Sequence, residues 1–289
     1  MKTTLAAGAA TLVSQRAFGQ SSLTWDYFPT DDSGFLRAPV LLKGSSEAVL
    51  VGGGFTLSDG QAVADAIKAT GLNLTTVYVG VNDPDYYFSL GPVKAAFPDA
   101  RVIAAPETVA LIKEKVAGKI EAWGPQLGEN GPQSVDEVVM PEASDATSLT
   151  VDGETVEIVT IDDMKDRRYL WVPSLKAVFG GVLTYGGLHP WIADVPTPED
   201  RAAWVRALDG IIARDPEVVV PGHMTPDWPT DLSGVTFTRE YLIAYEKEFA
   251  KAADSAELIA AMKELYPDAG LEVALEIGAK VAKGEMTWG

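Results

Sequence analysis

A layered α+β domain is predicted for this chain by three observations. Short apolar runs rich in β-formers alternate with stretches whose apolar residues recur at helical spacing. Turn signals containing Gly, Pro, Asn and Asp separate those runs every several residues. The 289 residues carry 47% hydrophobic and 22% charged side chains, which suits a folded chain able to bury a large core without staples.

The elements follow in order. Residues 1–20 have the make-up of an export signal: Lys2, a small apolar run from Leu5 to Val13, then Ala17 and Gly19 ahead of Gln20. The stretch also resembles the latter half of a twin-arginine signal. It predicts a periplasmic or secreted protein, and the run is too short to span a bilayer, so no membrane insertion is expected. Residues 21–289 read as one domain. LTWDYF, FLRAPVLLKG and EAVLVGGGF are strand-like. Ser58 and Gln61 fit a capping box, Val63, Ala64, Ala66 and Ile67 give a helix face, and Gly71 ends it. A strand at Val77–Val79 precedes a helix around Val93–Phe97, a strand at Arg101–Ala104 and a helix at Thr108–Val116. Residues 118–134, rich in Gly and Pro, read as a long loop with at most one helical turn. DEVVMP, SLTVDG, ETVEIVTI, RRYLWVP and KAVFGGV form a meander. Thr197 caps a helix with Pro198 at its first position and Trp204, Leu208, Ile211 and Ile212 on its buried face. A strand at Glu217–Val220 leads to Pro221-Gly222-His223, and helices follow between Val235 and Lys283.

The composition also excludes chemistries. Without cysteine there are no disulfides, iron–sulfur clusters or thiolate zinc sites. A net charge of -18 argues against nucleic acid as a partner. The charge says little about the substrate.

The most informative stretch is Val77–Leu90, VYVGVNDPDYYFSL, a buried strand running into a polar loop and a helix start. It resembles the metal-binding motif H-x-H-x-D-H of the metallo-β-lactamase superfamily. In that register Val81 and Asp83 stand at the first two His positions, Asp85 at the Asp, and Tyr86 at the last His. His223 matches the family's PGH position, Val182 stands where an Asp bridges two metals, and Gly52 where an Asp supports the site. Asp162 and Asp163 fall near the next His motif. The resemblance implies a four-layer αβ/βα sandwich and a hydrolase-like protein acting on a small ester, lactone or amide. Asp83, Asp85, Tyr86 and His223 are the implied catalytic set. Asp83, Asp85 and His223 would hold at most one divalent ion (zinc, iron or manganese). With only His189 and His223 in the chain, the family's usual dinuclear zinc site is excluded.

Two other functions stay open. One is a catalytically inactive pseudoenzyme that serves as a periplasmic binding or interaction protein. The other is a metal-independent lyase or isomerase, with His223 as base, Asp83 or Asp85 orienting it, and Tyr86 or Tyr87 donating to an oxyanion. Trp123, Tyr185 and Trp191 are candidate pocket walls, and His189 a candidate pocket residue.

Overall fold

The computed structural model describes residues 22–164, 166–179 and 181–288. The export-signal segment lies outside the described residues. The first sheet has six strands in sequence order: β1 (Thr24–Tyr27), β2 (Val40–Lys43), β3 (Glu47–Val51), β4 (Asn73–Val79), β5 (Arg101–Ala104) and β6 (Glu142–Ala143). β1 to β3 pair antiparallel, and β3 to β6 pair parallel. Parallel neighbours need crossovers, here α1 (Leu57–Thr70), α2 (Leu90–Ala96) and α3 (Pro106–Leu127).

The second sheet is a meander of β7 (Ser148–Val151), β8 (Glu154–Thr160), β9 (Arg168–Val172) and β10 (Ala177–Phe179). After β11 (Tyr185–Gly186) and α4 (Pro198–Ala213), β12 (Val218–Val220) joins it parallel to β10. β13 (His223–Met224) pairs with β11 in a short separate ribbon. Three helices follow: α5 (Ser233–Phe249), α6 (Ser255–Leu265) and α7 (Glu272–Ala282).

Strand alternation sets the layers, because successive side chains point to opposite faces. Val40, Leu42, Val49, Val51, Tyr78 and Ile103 of the first sheet share one core with Leu149, Val156, Leu170 and Phe179 of the second. The residues between them, such as Leu41, Leu50, Val77, Val79, Tyr169 and Trp171, join the helices' apolar faces in the other core. Two sheets face to face with helices outside make the αβ/βα sandwich.

Three local expectations are corrected. The capping box of α1 is Thr56 with Asp59, not Ser58 with Gln61: each side chain accepts from the other's backbone N–H, so the helix starts earlier. Residues 118–127 are helix rather than loop. Val109, Ile112, Val116, Lys119, Ile120 and Leu127 make one continuous buried face, and its burial carries the helix through Gly118, Gly124 and Pro125. DEVVMP, residues 136–141, begins inside a 3-10 turn at Val135–Glu137 and holds no strand; the two-residue β6 follows it.

Candidate functional site

Four loops converge at one end of the sandwich, following β1, β3, β4 and β12. Arg37, from the first of them, ties the other three to it. It is 1% exposed. Its Nε donates to the carbonyl of Asp85 at 3.1 Å, its Nη2 to the carbonyl of Gly53 at 3.2 Å, and its Nη1 to the carbonyl of Gly222. The guanidinium carbon lies 3.6 Å from the centre of the Tyr86 ring. Gly52 makes room for it. At φ 71 Gly52 has a left-handed backbone, and a Cβ there would lie 2.7 Å from Arg37 Nη2. An aspartate at position 52 and this guanidinium placement are mutually exclusive.

Asp85 and His223, from opposite halves of the chain, meet over this arginine. His223 Nε2 is 3.1 Å from Asp85 Oδ2, and Arg37 Nε is 3.9 Å from the same oxygen. His223 Nδ1 donates to the carbonyl of Phe35 at 2.8 Å. Phe35 and Leu36 both have left-handed backbone, φ 58 and 54, which is uncommon for side chains of that size. Tyr185 stacks on the other side of the imidazole, ring centres 5.1 Å apart. Burial alone would raise the Asp85 pKa; the His223 hydrogen bond, the His223 charge and Arg37 outweigh it, and the carboxyl is held below its usual range. Both ring nitrogens of His223 are therefore occupied, Nδ1 by the Phe35 carbonyl and Nε2 by the Asp85 carboxyl.

Asp83 behaves differently. It is buried, yet its carboxyl has no hydrogen-bond partner among the described residues; Lys119 Nζ is 3.6 Å away. Burial, then the nearby Asp194 and Asp85 charges, push its pKa up to about 7 against the opposing pull of Lys119 and Arg167. Lys119 itself donates to the carbonyl of Asn82.

Asp83, Asp85, Lys119 and His223 form the polar floor of a cavity that opens to solvent, with about 490 Å³ of empty space counting its open mouth. Its walls are apolar and aromatic, including Phe35, Trp123, Tyr185, Trp191 and Trp288, as expected of a ligand pocket. Trp288 packs edge-on against Trp191 and Trp123, with ring centres 5.1 and 6.1 Å apart.

Of the residues singled out from sequence, Asp83, Asp85 and His223 come together at this floor, and Trp123, Tyr185 and Trp191 stand in its wall. Tyr86 does not face the cavity; it lies under Arg37 and lines a small internal space between the sheets. Its hydroxyl and that of Tyr87 are buried without partners among the described residues. Asp85 caps no helix: the short turn at Pro84–Tyr86 has Asp83 at its N-cap position, without a side-chain bond, and α2 begins after Ser89. Asp163 pairs with Arg206 at the surface. His189 is buried beneath the last helices, bonded to the Tyr241 hydroxyl at 2.8 Å, and burial pushes its pKa down to about 4. Val81 is in the core, and Val182 lines the cavity. Arg37, Lys119 and Trp288 were not found from sequence. The one available signal was Arg37 itself, a lone charge inside the apolar run FLRAPVLL.

The donors do not suit a metal ion. His223 Nδ1 donates to the Phe35 carbonyl, Nε2 faces Asp85 Oδ2, and the fixed Arg37 guanidinium lies 3.9 Å from the same carboxylate oxygen. Among the described residues no group of three or more His, Asp or Glu side chains is arranged to hold a metal.

No known family's sequence pattern matches the chain, and no curated protein matches it. Solved structures do. A metallo-β-lactamase family protein from Thermus thermophilus aligns over 91% of this chain and 92% of its own, with 18% identity and a TM-score of 0.62. A β-lactamase domain protein from Burkholderia ambifaria aligns over 91% and 84%, with 13% identity and the same TM-score, 0.62. A metallo-β-lactamase from Pontibacter korlensis aligns over 77% and 95%, with 18% identity and a TM-score of 0.52. Likeness at such identities is a likeness of fold: the chain has the metallo-β-lactamase fold, and its described residues carry no intact metal-binding cluster.

Proposed function

We propose that the protein acts on a small, largely apolar molecule in the aromatic cavity, without a metal ion, through acid–base chemistry of Asp83. One observation carries this reading: Asp85 and His223, the two residues that match ligand positions, are bonded to each other over Arg37. A divalent ion would have to displace the hydrogen bond between them and sit close to a buried guanidinium, a repulsion that low dielectric strengthens.

Asp83 is the group left open to a substrate. A carboxyl whose pKa is pushed up to about 7 exchanges a proton in either direction near neutral pH. Lys119, 3.6 Å away, is placed to stabilise negative charge on a substrate oxygen. Together they suit hydrolysis of an ester or lactone, with Asp83 taking a proton from water. They equally suit abstraction of a proton next to a carbonyl, as in a lyase or isomerase.

The closed Asp85–His223 pair favours a second reading, a binding protein without turnover, since the residues that align with metal ligands are fully occupied with each other. The test is metal analysis after incubation with zinc, iron and manganese, paired with a panel of small esters, lactones and amides. The first reading expects no stoichiometric metal. It also expects turnover indifferent to chelators and reduced roughly 10²–10⁴-fold in Asp83→Asn. One metal per chain, lost in His223→Ala together with activity, would overturn it. Thermal-shift ligands that are never turned over would select the second reading.

A further inference from the structure

The cavity shares a wall with a second space. Lys119, Trp123 and Trp288 line both the cavity and a groove along α3, beside Gly118 and Ala122, which has about 680 Å³ of empty space counting its open side. Side chains that border two spaces stand between them. Lys119 and Trp123 belong to α3. Trp288 comes from beyond α7, at the far end of the sequence. Its ring bridges Trp123 and Trp191, the latter in the loop after β11, with ring centres 6.1 and 5.1 Å away.

That placement is built into the sequence. α7 ends in a Schellman motif: Glu285 N donates to the Lys280 carbonyl at 2.8 Å and Gly284 N to the Val281 carbonyl at 3.0 Å, with Gly284 left-handed at φ 73. The glycine turns the chain off the helix axis at no steric cost. The next residue then anchors it. The Glu285 carboxylate accepts from both the backbone N–H and the hydroxyl of Ser255, at 2.8 and 2.5 Å, at the start of α6. Residues 284–287 are exposed, and Trp288 returns to lie half-buried against the other two indoles. Three residue steps separate it from Glu285, so its backbone stays within about 11 Å of a fixed point. Burial of the indole offsets the entropy of ordering so short a segment.

We infer that Trp288 determines ligand length at this site: its indole separates the cavity from the groove, and a ligand whose polar head sits at the Asp83–Lys119 floor carries only as much apolar chain as fits short of the ring. This sets the size limit of the proposed small-molecule site and rests on that reading. Chain carbons that reach past the wall stay in water and gain nothing from burial. A small side chain at position 288 would join the two spaces into one cleft, in which the tail of a longer ligand runs on past Trp123 along α3.

The test is calorimetry on the full chain with a series of neutral γ-lactones, from γ-hexalactone to γ-dodecalactone. In the unmodified protein affinity is expected to rise roughly fourfold per added methylene while the chain is being buried, and then to level off or fall. In Trp288→Ala the rise should continue to longer members, so that the longest lactone gains about tenfold or more over the shortest relative to the unmodified protein. Trp288→Phe should place the break between the two. Glu285→Ala, which releases the anchor and keeps the indole, should move the break in the same direction as Trp288→Ala. An unmoved break in Trp288→Ala, or no break in the unmodified protein up to γ-dodecalactone, would overturn the inference and leave the small-molecule site intact. Failure of every lactone to bind the folded, unmodified protein would remove both.

Discussion

Arg37 is the residue on which the site geometry turns. Its donors satisfy carbonyls from three separate loops, and its face covers Tyr86. Truncation would leave those carbonyls buried without their donors and Asp85 without its arginine. Removing one partner from a buried charged cluster costs about 3–5 kcal/mol. Arg37→Ala is therefore expected to lose stability of that order in urea unfolding. Arg37→Lys should recover little, because one ammonium cannot reach three diverging acceptors. A loss under about 1 kcal/mol would show that the loops hold together without it. Such a residue is hard to read from sequence: its partners are backbone carbonyls, which leave no motif. Asp85 and His223 were legible because they stand at positions where a known motif keeps its ligands. The bond between them was not, since nothing along the chain says that two former ligand positions have closed on each other.

At the scale of elements, α3 is the most informative. Its loop-like composition hid a 22-residue helix whose buried face presents Lys119 to the cavity. Local preference favours a break at Gly118, Gly124 and Pro125, and packing overrides it. A Cβ at Gly118 would meet nothing within 4 Å. Gly118→Ala is expected to stabilise the protein by about 0.5–1 kcal/mol, read as a higher urea midpoint at unchanged slope. A neutral or negative result would mean that the helix needs its glycine for motion. The strands were easier. The apolar β-formers of Val77–Val79 and the turn-separated strands of the meander report a buried sheet directly, whereas the two-residue β6 is held by its neighbours and has no pattern of its own.

At the scale of the whole molecule, Asp83 and Asp85 give the stability curve opposite slopes. The Asp85 pKa is lower in the folded protein, so its contribution is present above the unfolded value of 3.8 and lost as pH falls through the folded value. The Asp83 pKa is raised from 3.8 to about 7, so the folded state holds a proton that the unfolded state has released. Stability from this group is full below about pH 4, declines as pH rises to about 7, and is flat above. Asp83→Asn should remove that decline and raise the melting temperature at pH 8 by about 2–4 °C for each kcal/mol recovered. Parallel melting curves for the two proteins between pH 5 and 8 would show that Asp83 titrates as it does in the unfolded chain. The sandwich that surrounds these groups was predictable, because layer architecture follows from which residues alternate and which recur at helical spacing. The balance of buried charge was not, because it depends on distances that only the folded chain fixes.

Three of the seven tryptophans, Trp123, Trp191 and Trp288, border the same cavity and touch through Trp288. Indole emission responds to the polarity around the ring, so the protein carries its own optical gauge of occupancy. Arrival of a guest among these rings would shift the intrinsic fluorescence spectrum with no added dye, and Trp288→Phe would mute that response.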